Sequence, residues 1–260
     1  DEKVSFLPRA QTTGIASHNE EDIFVRNKSL CKDLIGKLSF TQMIYFQILG
    51  RIPTDSQSNV LDACLVTLME HGLTPSTLTS RLVYSSAPEA MQSAVGAGLA
   101  CVGSVFVGTM DSAAVLIKRL LQSKIGVREE AYIIAKEYNN AVKRIPGFGH
   151  HIHKPDDPRT MCLFKVAERE NILGDYIKAI KVLSKEIDQV FGKHITINAT
   201  GAIAAALGDC GVPVEIMRGF ALIARSAGLV GHIHEEQTKP AMRVIWEAAE
   251  SSIPYHNPKT

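Results

Sequence analysis

Apolar residues in this chain recur at the three- and four-residue spacing of a helix in one segment after another, and almost nowhere in the alternation of a strand. Val60, Leu61, Cys64, Leu65 and Leu68 form such a stripe within 55–70, and Ile177, Ile180, Leu183, Ile187 and Val190 form another within 175–191. The breaks agree with the stripes. LSFTQMIYFQIL stops at Gly50 with Pro53 just beyond, and Thr74-Pro75 supplies an N-cap followed by proline at the first helical position. Further helices are predicted over 128–143, 159–171, the AIAAAL run after Asn198-Ala199-Thr200-Gly201, and Val214 to His234. Residues 1–28 lack the helical period and read as an extended lead-in with a short hairpin. The fold expected is all-α. A smaller helical domain, 112–213, is set apart from a large one made of 1–111 and 214–260. No GxGxxG or GxxxxGKS loop occurs, which argues against nucleotide folds built on parallel sheets.

A chain of 260 residues that is 45% hydrophobic can bury a substantial core. Its net charge of +1 gives no general attraction to nucleic acid or membrane, so an anionic partner must be met by a few placed cations. No apolar run is long enough to suggest a membrane span, and the N-terminus lacks signal-peptide architecture. Five cysteines without a CxxC pair read as reduced packing residues of a cytoplasmic protein.

The chemistry is concentrated in RIPGFGHHIHKPDDPR, residues 144–159. Pro146, Gly147 and Gly149 forbid a continuing helix and leave backbone amides bare, so that a phosphate or an adenine edge can approach. Into this stiff loop are set His150, His151, His153, Lys154 and Arg159: a titratable type, a point charge and a bidentate fork. A surface accident or adventitious metal binding is the plainer alternative. A metal site drawing on His150, His151, His153, His232 and His234 is disfavoured, because His232 and His234 are two apart on a predicted helix and do not share a face. No metal is expected.

Two residues outside the loop stand out. His71 lies at the break before Thr74-Pro75, where it either caps carbonyls or reaches a ligand. Arg225 sits among Phe220, Leu222, Ile223 and Leu229 on a very apolar helix, where a guanidinium needs a buried carboxylate or an anionic ligand. The stretch from Ser93 to Ala113, with glycines at 96, 98, 103 and 108, suits a tightly packed central or dimer-interface helix.

PGFGHHIHKPDDPR resembles the citrate synthase superfamily pattern of Pro-Gly-aromatic-Gly-His followed by Asp-Pro-Arg. HGLTPSTLTSR, GSVFVGTMDSA, FALIARSAGLVGHIHEE and LSFTQMIYFQILGRIP resemble further segments of that family in the same order, and the glycine-helix segment is more similar to the citryl-CoA lyase module of ATP-citrate lyase. The resemblance implies a helical homodimer with its site in a cleft between a large and a small domain, taking coenzyme A as thioester substrate together with a dicarboxylate. It implies that His150 and His71 act on the substrate oxygen, that Arg159 and Arg225 hold carboxylates, and that Gly147, Phe148, Gly149 and Lys154 meet the coenzyme. The activity implied is cleavage of citryl-CoA to acetyl-CoA and oxaloacetate.

Three positions depart from the family pattern. Phe106 stands where the synthases carry a histidine that polarises the thioester. Lys239, before Pro240, stands where they carry an arginine from the partner subunit. Thr200 replaces the aspartate of Asn-Val-Asp-Gly that moves the proton on carbon, and a hydroxyl has no accessible ionisation near neutral pH. Asp111, Glu235 or Asp209 could supply the missing carboxylate. The alternative is a protein that binds acyl-CoA or dicarboxylate with altered or no aldol chemistry.

Overall fold

The computed structural model describes residues 12–103, 105 and 108–258, which fall into two compact units meeting at Ser58 and Asn59. The first unit opens with three short antiparallel strands, β1 (Ala16–His18), β2 (Ile23–Val25) and β3 (Lys28–Ser29), where the sequence predicts a hairpin. A π-type turn, Leu30–Leu34, and α1 (Phe40–Leu49) follow, closing a small core of Val25, Leu34 and Phe46. Ser39 and Gln42 form a capping box at the start of α1, and Gly50 ends it in the left-handed conformation at φ 73°. The Arg26 guanidinium donates to the carbonyls of Gln47 and Ile48, satisfying two of the last acceptors of that helix.

α2 (Asp55–Met69) leads into the second unit, which is helical throughout: α3 (Pro75–Ser86), α4 (Met91–Ala100), α5 (Thr109–Leu121), α6 (Val127–Asn140), α7 (Pro158–Arg169), α8 (Asp175–Phe191), α9 (Ala199–Asp209), α10 (Met217–Thr238) and α11 (Met242–Ser252). Helix α9 is central. Its alanines are almost fully buried, and their small size lets α5, α7 and α8 pack around it. At Gly208 even a methyl group would run into the Tyr176 ring. α3 pairs with α4, and α10 crosses both. The buried Arg81 of α3 is locked to α10 by Glu235 at 2.7 Å and Glu236 at 2.6 Å. None of the described helices is long and apolar enough to cross a membrane.

The glycine-rich stretch from Ser93 to Ala113 is not one helix. α4 ends at Ala100 and α5 begins at Thr109, because Gly103 and Gly108 close a turn in which the Gly108 N–H donates to the Gly103 carbonyl at 2.9 Å. A side chain on Gly108 would strike that carbonyl. Close helix packing belongs to Gly98 instead, where a Cβ would lie 2.8 Å from Leu229 Cδ1. Phe106 lies outside the described residues.

Candidate active site

The loop after α6 is held by the segment entering α9. Phe148 and Ile197 form an isolated antiparallel bridge, the Gly149 N–H donates to the Thr196 carbonyl at 2.8 Å, and the Asn198 N–H donates to the Gly147 carbonyl at 3.0 Å. Gly147 and Gly149 have φ of 83° and 78°, conformations that glycine alone adopts without strain. Gly147 also lies against Gly201 and Ala113, so the loop backbone rests directly on the starts of α9 and α5. Phe148 is buried as the plug beneath it.

This stitching fixes His150. Backbone N–H groups of Ile152 and His153 donate to its Nδ1 at 3.1 and 3.0 Å. Nδ1 is therefore the acceptor nitrogen and the proton sits on Nε2, which becomes a donor. Burial, then the nearby His153 and Arg159, hold its pKa below the ordinary imidazole value and keep it neutral. Its ring stacks on His153 at 4.4 Å and on His151 at 4.7 Å between centroids, and the His71 ring is 6.1 Å away.

His71 reaches this point because α10 presses on the end of α2. At Gly228 any side chain would meet the Met69 carbonyl. Glu70 accepts the backbone N–H groups of His71 and Gly72 at 2.8 and 2.6 Å and His232 Nε2 at 2.8 Å, which fixes the turn. Arg225, on the facing helix, is 4% exposed, and its Nε and Nη1 have no hydrogen-bond partner among the described residues. Burial lowers its pKa, against which Glu70 offers only a through-space opposing charge.

Arg159 is partly committed. Asp157 accepts its Nε and Nη2 at 3.0 and 2.8 Å, and Nη1 makes no hydrogen bond among the described residues. Asp157 was not among the residues the sequence marks, although its place before Pro158 carries the signal of an N-cap. It is fully buried and also accepts the N–H groups of Arg159 and Ala199, tying α7 to α9. Burial pushes its pKa up, but the Arg159 fork and these two amides outweigh that and bring it below the usual value. A carboxylate depressed in the folded state adds stability above its ordinary pKa, and that stability is lost as pH falls through the folded value. Asp157→Asn should therefore cost about 2 kcal/mol or more at neutral pH and flatten the acid limb of the stability curve, as measured by denaturant unfolding from pH 7 downward.

A cavity of about 750 Å³ opens beside the loop. Lys143, Arg144, Lys193, His150 and His151 line it together with Ile145, Phe191 and Ile195, and none of its lining residues is acidic. Gly147, Phe148 and Gly149 belong to the same wall, whereas Lys154 is exposed and outside it. Lys143 and Lys193 carry no motif signal. Each is an ordinary lysine at a helix end until the loop folds back between them.

Thr200 is in the first turn of α9. Its hydroxyl donates to Asn198 Oδ1 at 2.7 Å and lies 3.1 Å from the Thr109 hydroxyl, which lines the cavity. Of the three carboxylates considered as replacements for the missing one, Glu235 is held by Arg81, and Asp209 by the N–H groups of Tyr176 and Ile177. Asp111 lies two residues after Thr109. Its Oδ2 is 2.7 Å from Arg218 Nε, and its Oδ1 is buried without a hydrogen bond among the described residues. Lys239 caps the end of α10, exposed, with its carbonyl accepting from Arg81 at 3.3 Å, and it is not among the residues lining the cavity. His232 is drawn to Glu70 and His234 to Gln237, so these two histidines serve separate partners.

The profile of the citrate synthase C-terminal domain matches residues 12–246. Among solved structures, citryl-CoA lyase from Hydrogenobacter thermophilus is similar at 33% identity over 97% of each chain, with a TM-score of 0.86. ATP citrate lyase from Methanothrix soehngenii, solved with citrate and coenzyme A, shares the fold at 22% identity, covering 97% of this chain and 42% of that one, with a TM-score of 0.80. Citrate synthase from Saccharolobus solfataricus is 28% identical over 76% of this chain and 52% of its own length. The corresponding figures for Heyndrickxia coagulans citrate synthase are 24%, 82% and 57%, so the chain spans about half the length of these curated relatives.

Proposed function

We propose that this chain, which belongs to the citrate synthase superfamily, is a citryl-CoA lyase-like enzyme that cleaves citryl-CoA, or a related 3-hydroxyacyl-CoA, to acetyl-CoA and oxaloacetate. The observation that carries the reading is a buried Arg225 whose Nε and Nη1 have no hydrogen-bond partner among the described residues and which feels the charge of Glu70. Glu70 is next in sequence to His71, whose ring lies 6.1 Å from His150, a neutral ring whose free nitrogen is a donor. A site of that kind is complementary to a carboxylate next to an oxygen that changes charge. The likeness to the Hydrogenobacter citryl-CoA lyase supports the same reaction.

In this reading Arg225 and the free Nη1 of Arg159 bind the carboxylates of the oxaloacetate half. His150 Nε2–H donates to the substrate hydroxyl oxygen and stays on it as it becomes the ketone. Because His150 Nδ1 is held by two amides, the hydroxyl proton goes to His71, whose ring makes no hydrogen bond among the described residues. As that proton leaves, the bond between the hydroxyl-bearing carbon and the thioester α-carbon breaks. Its electrons form the acetyl-CoA enolate, which takes on carbon the proton held by His71 or one from water, so that the proton count balances.

The cavity lining of Lys143, Arg144 and Lys193 suits the phosphates of the coenzyme; the Phe148 and Gly149 amides expected to be bare are instead spent on the Ile145 and Thr196 carbonyls. One charge-assisted contact contributes about 1.5–3 kcal/mol, so Lys193→Ala or Arg144→Ala should raise KM for the thioester roughly ten- to a hundredfold. Steady-state kinetics should show kcat nearly unchanged, since binding of this kind acts equally on ground and transition states. The reading also includes a cytoplasmic homodimer with 112–213 as the smaller of two domains.

Thr200 favours a second reading, binding of acyl-CoA or dicarboxylate without aldol turnover, since its hydroxyl is spent on Asn198. A carboxylate at this first-turn position is welcomed by the helix dipole. Thr200→Asp should therefore raise citryl-CoA cleavage without loss of stability. No gain would send the search for the proton carrier to Asp111. The deciding assay is oxaloacetate release from citryl-CoA, coupled to malate dehydrogenase and read as NADH loss. Release by the wild-type chain supports the lyase; tight thioester binding with no release supports the second reading.

A further inference from the structure

His71, at the turn after α2, and His150 and His153, in the central loop, each bring one ring nitrogen within 4.8 Å of the other two. The set differs from the five histidines that invite a metal reading in the sequence, because His71 comes from a distant segment and His151, His232 and His234 drop out. The loop holds His150 by Nδ1 and leaves its other nitrogen free. The rings of His71 and His153 make no hydrogen bond among the described residues. Glu70 fixes the His71 turn through two backbone amides without touching the ring. Three imidazoles with ring nitrogens within 4.8 Å of one another and no carboxylate among them form a nitrogen donor set; the rings of His150 and His153 are stacked at 4.4 Å, so His153 must turn out of that stack to aim at a shared ion.

We propose that His71, His150 and His153 bind one divalent transition-metal ion of the zinc or cobalt type, and that its binding switches off the neighbouring site. Three imidazoles leave the fourth position of a tetrahedral ion open for water. The all-nitrogen set excludes magnesium and calcium, which require oxygen ligands. Metal–nitrogen bonds of about 2.0–2.1 Å place tetrahedral nitrogens roughly 3.3 Å apart. The exposed side chain of His71, on a surface turn, makes the inward shift, and the half-buried ring of His153 rotates out of its stack on His150. An ion held here occupies the free nitrogen of His150 and neutralises any base at His71. The inhibitory half of the proposal rests on the lyase reading, and metal binding does not.

The test uses the untagged full chain, stripped with chelator and titrated with Co²⁺. One ion per chain, with the intense visible bands of four-coordinate cobalt, is the expected result, and Zn²⁺ should displace it. Loss of even an outer partner of a metal ligand costs about 10–100-fold in affinity, so His71→Gln and His153→Gln should each weaken binding at least tenfold. His151→Gln, stacked on His150 but outside the set, should not. Absence of the bands, or binding indifferent to both variants, overturns the site. In the citryl-CoA assay, Zn²⁺ should inhibit the wild type, while His153→Gln should retain basal turnover and resist zinc. Cobalt seated on the three histidines with turnover undiminished overturns the inhibition. A chain with no turnover under any condition defeats the lyase reading instead, and the cobalt spectra still decide the metal site.

Discussion

Arg225→Met should remove citryl-CoA turnover and leave the protein at least as stable as before. Binding one carboxylate through two charge-assisted hydrogen bonds contributes about 3–6 kcal/mol, so kcat/KM should fall roughly a hundred- to ten-thousandfold. Stability moves the other way, because Arg225 is 4% exposed and its Nε and Nη1 are without partners among the described residues. Removing an unpaired buried charge relieves a desolvation cost, and methionine fills most of the same space. Thermal unfolding together with steady-state kinetics checks both halves. A large loss of Tm would mean that the guanidinium is a structural brace, and the site would lose its anion receptor.

His150→Ala should lower kcat by about a hundredfold or more, since it deletes a donor aimed at the oxygen whose charge changes. The loss differs in kind from that at Arg225. A donor used most in the transition state shows in kcat, whereas an anchor for the carboxylate shows strongly in KM. His150→Asn and His150→Gln refine the test, because each restores an N–H donor without a titrating ring. Partial recovery by either would assign His150 to hydrogen bonding. Activity no better than that of the alanine variant would require the ring itself, and with it proton transfer. Unchanged turnover in all three removes His150 from the reaction.

The helices were legible because each carries its own stripe and its own stop. Gly50 and Pro53, Thr74 and Pro75, and the stripe of α8 are local signals that tertiary packing had no reason to override. The region between Ser93 and Ala113 misled for an equally local reason. Glycine serves both close packing and tight turning, and composition cannot separate the two; only Gly98 packs, while Gly103 and Gly108 turn. Within the central loop, the sequence marked Arg159 as a fork for a ligand but gave little sign that Asp157 would take two of its nitrogens.

What the sequence determined by itself is therefore the helical inventory, the stiff loop 144–159, and the presence of imidazoles and guanidiniums with no obvious protein partners. Those properties follow from spacing and residue type over a few turns. The tertiary structure decided which of them meet. It set the His150 tautomer through two amides, left Arg225 Nε and Nη1 without a hydrogen-bond partner among the described residues, brought His71 from the end of α2 to the loop, and placed Lys143 and Lys193 around one cavity. These outcomes depend on contacts between residues tens to more than a hundred positions apart, where local periodicity carries no information and only packing of α9 and α10 against their neighbours fixes the distance.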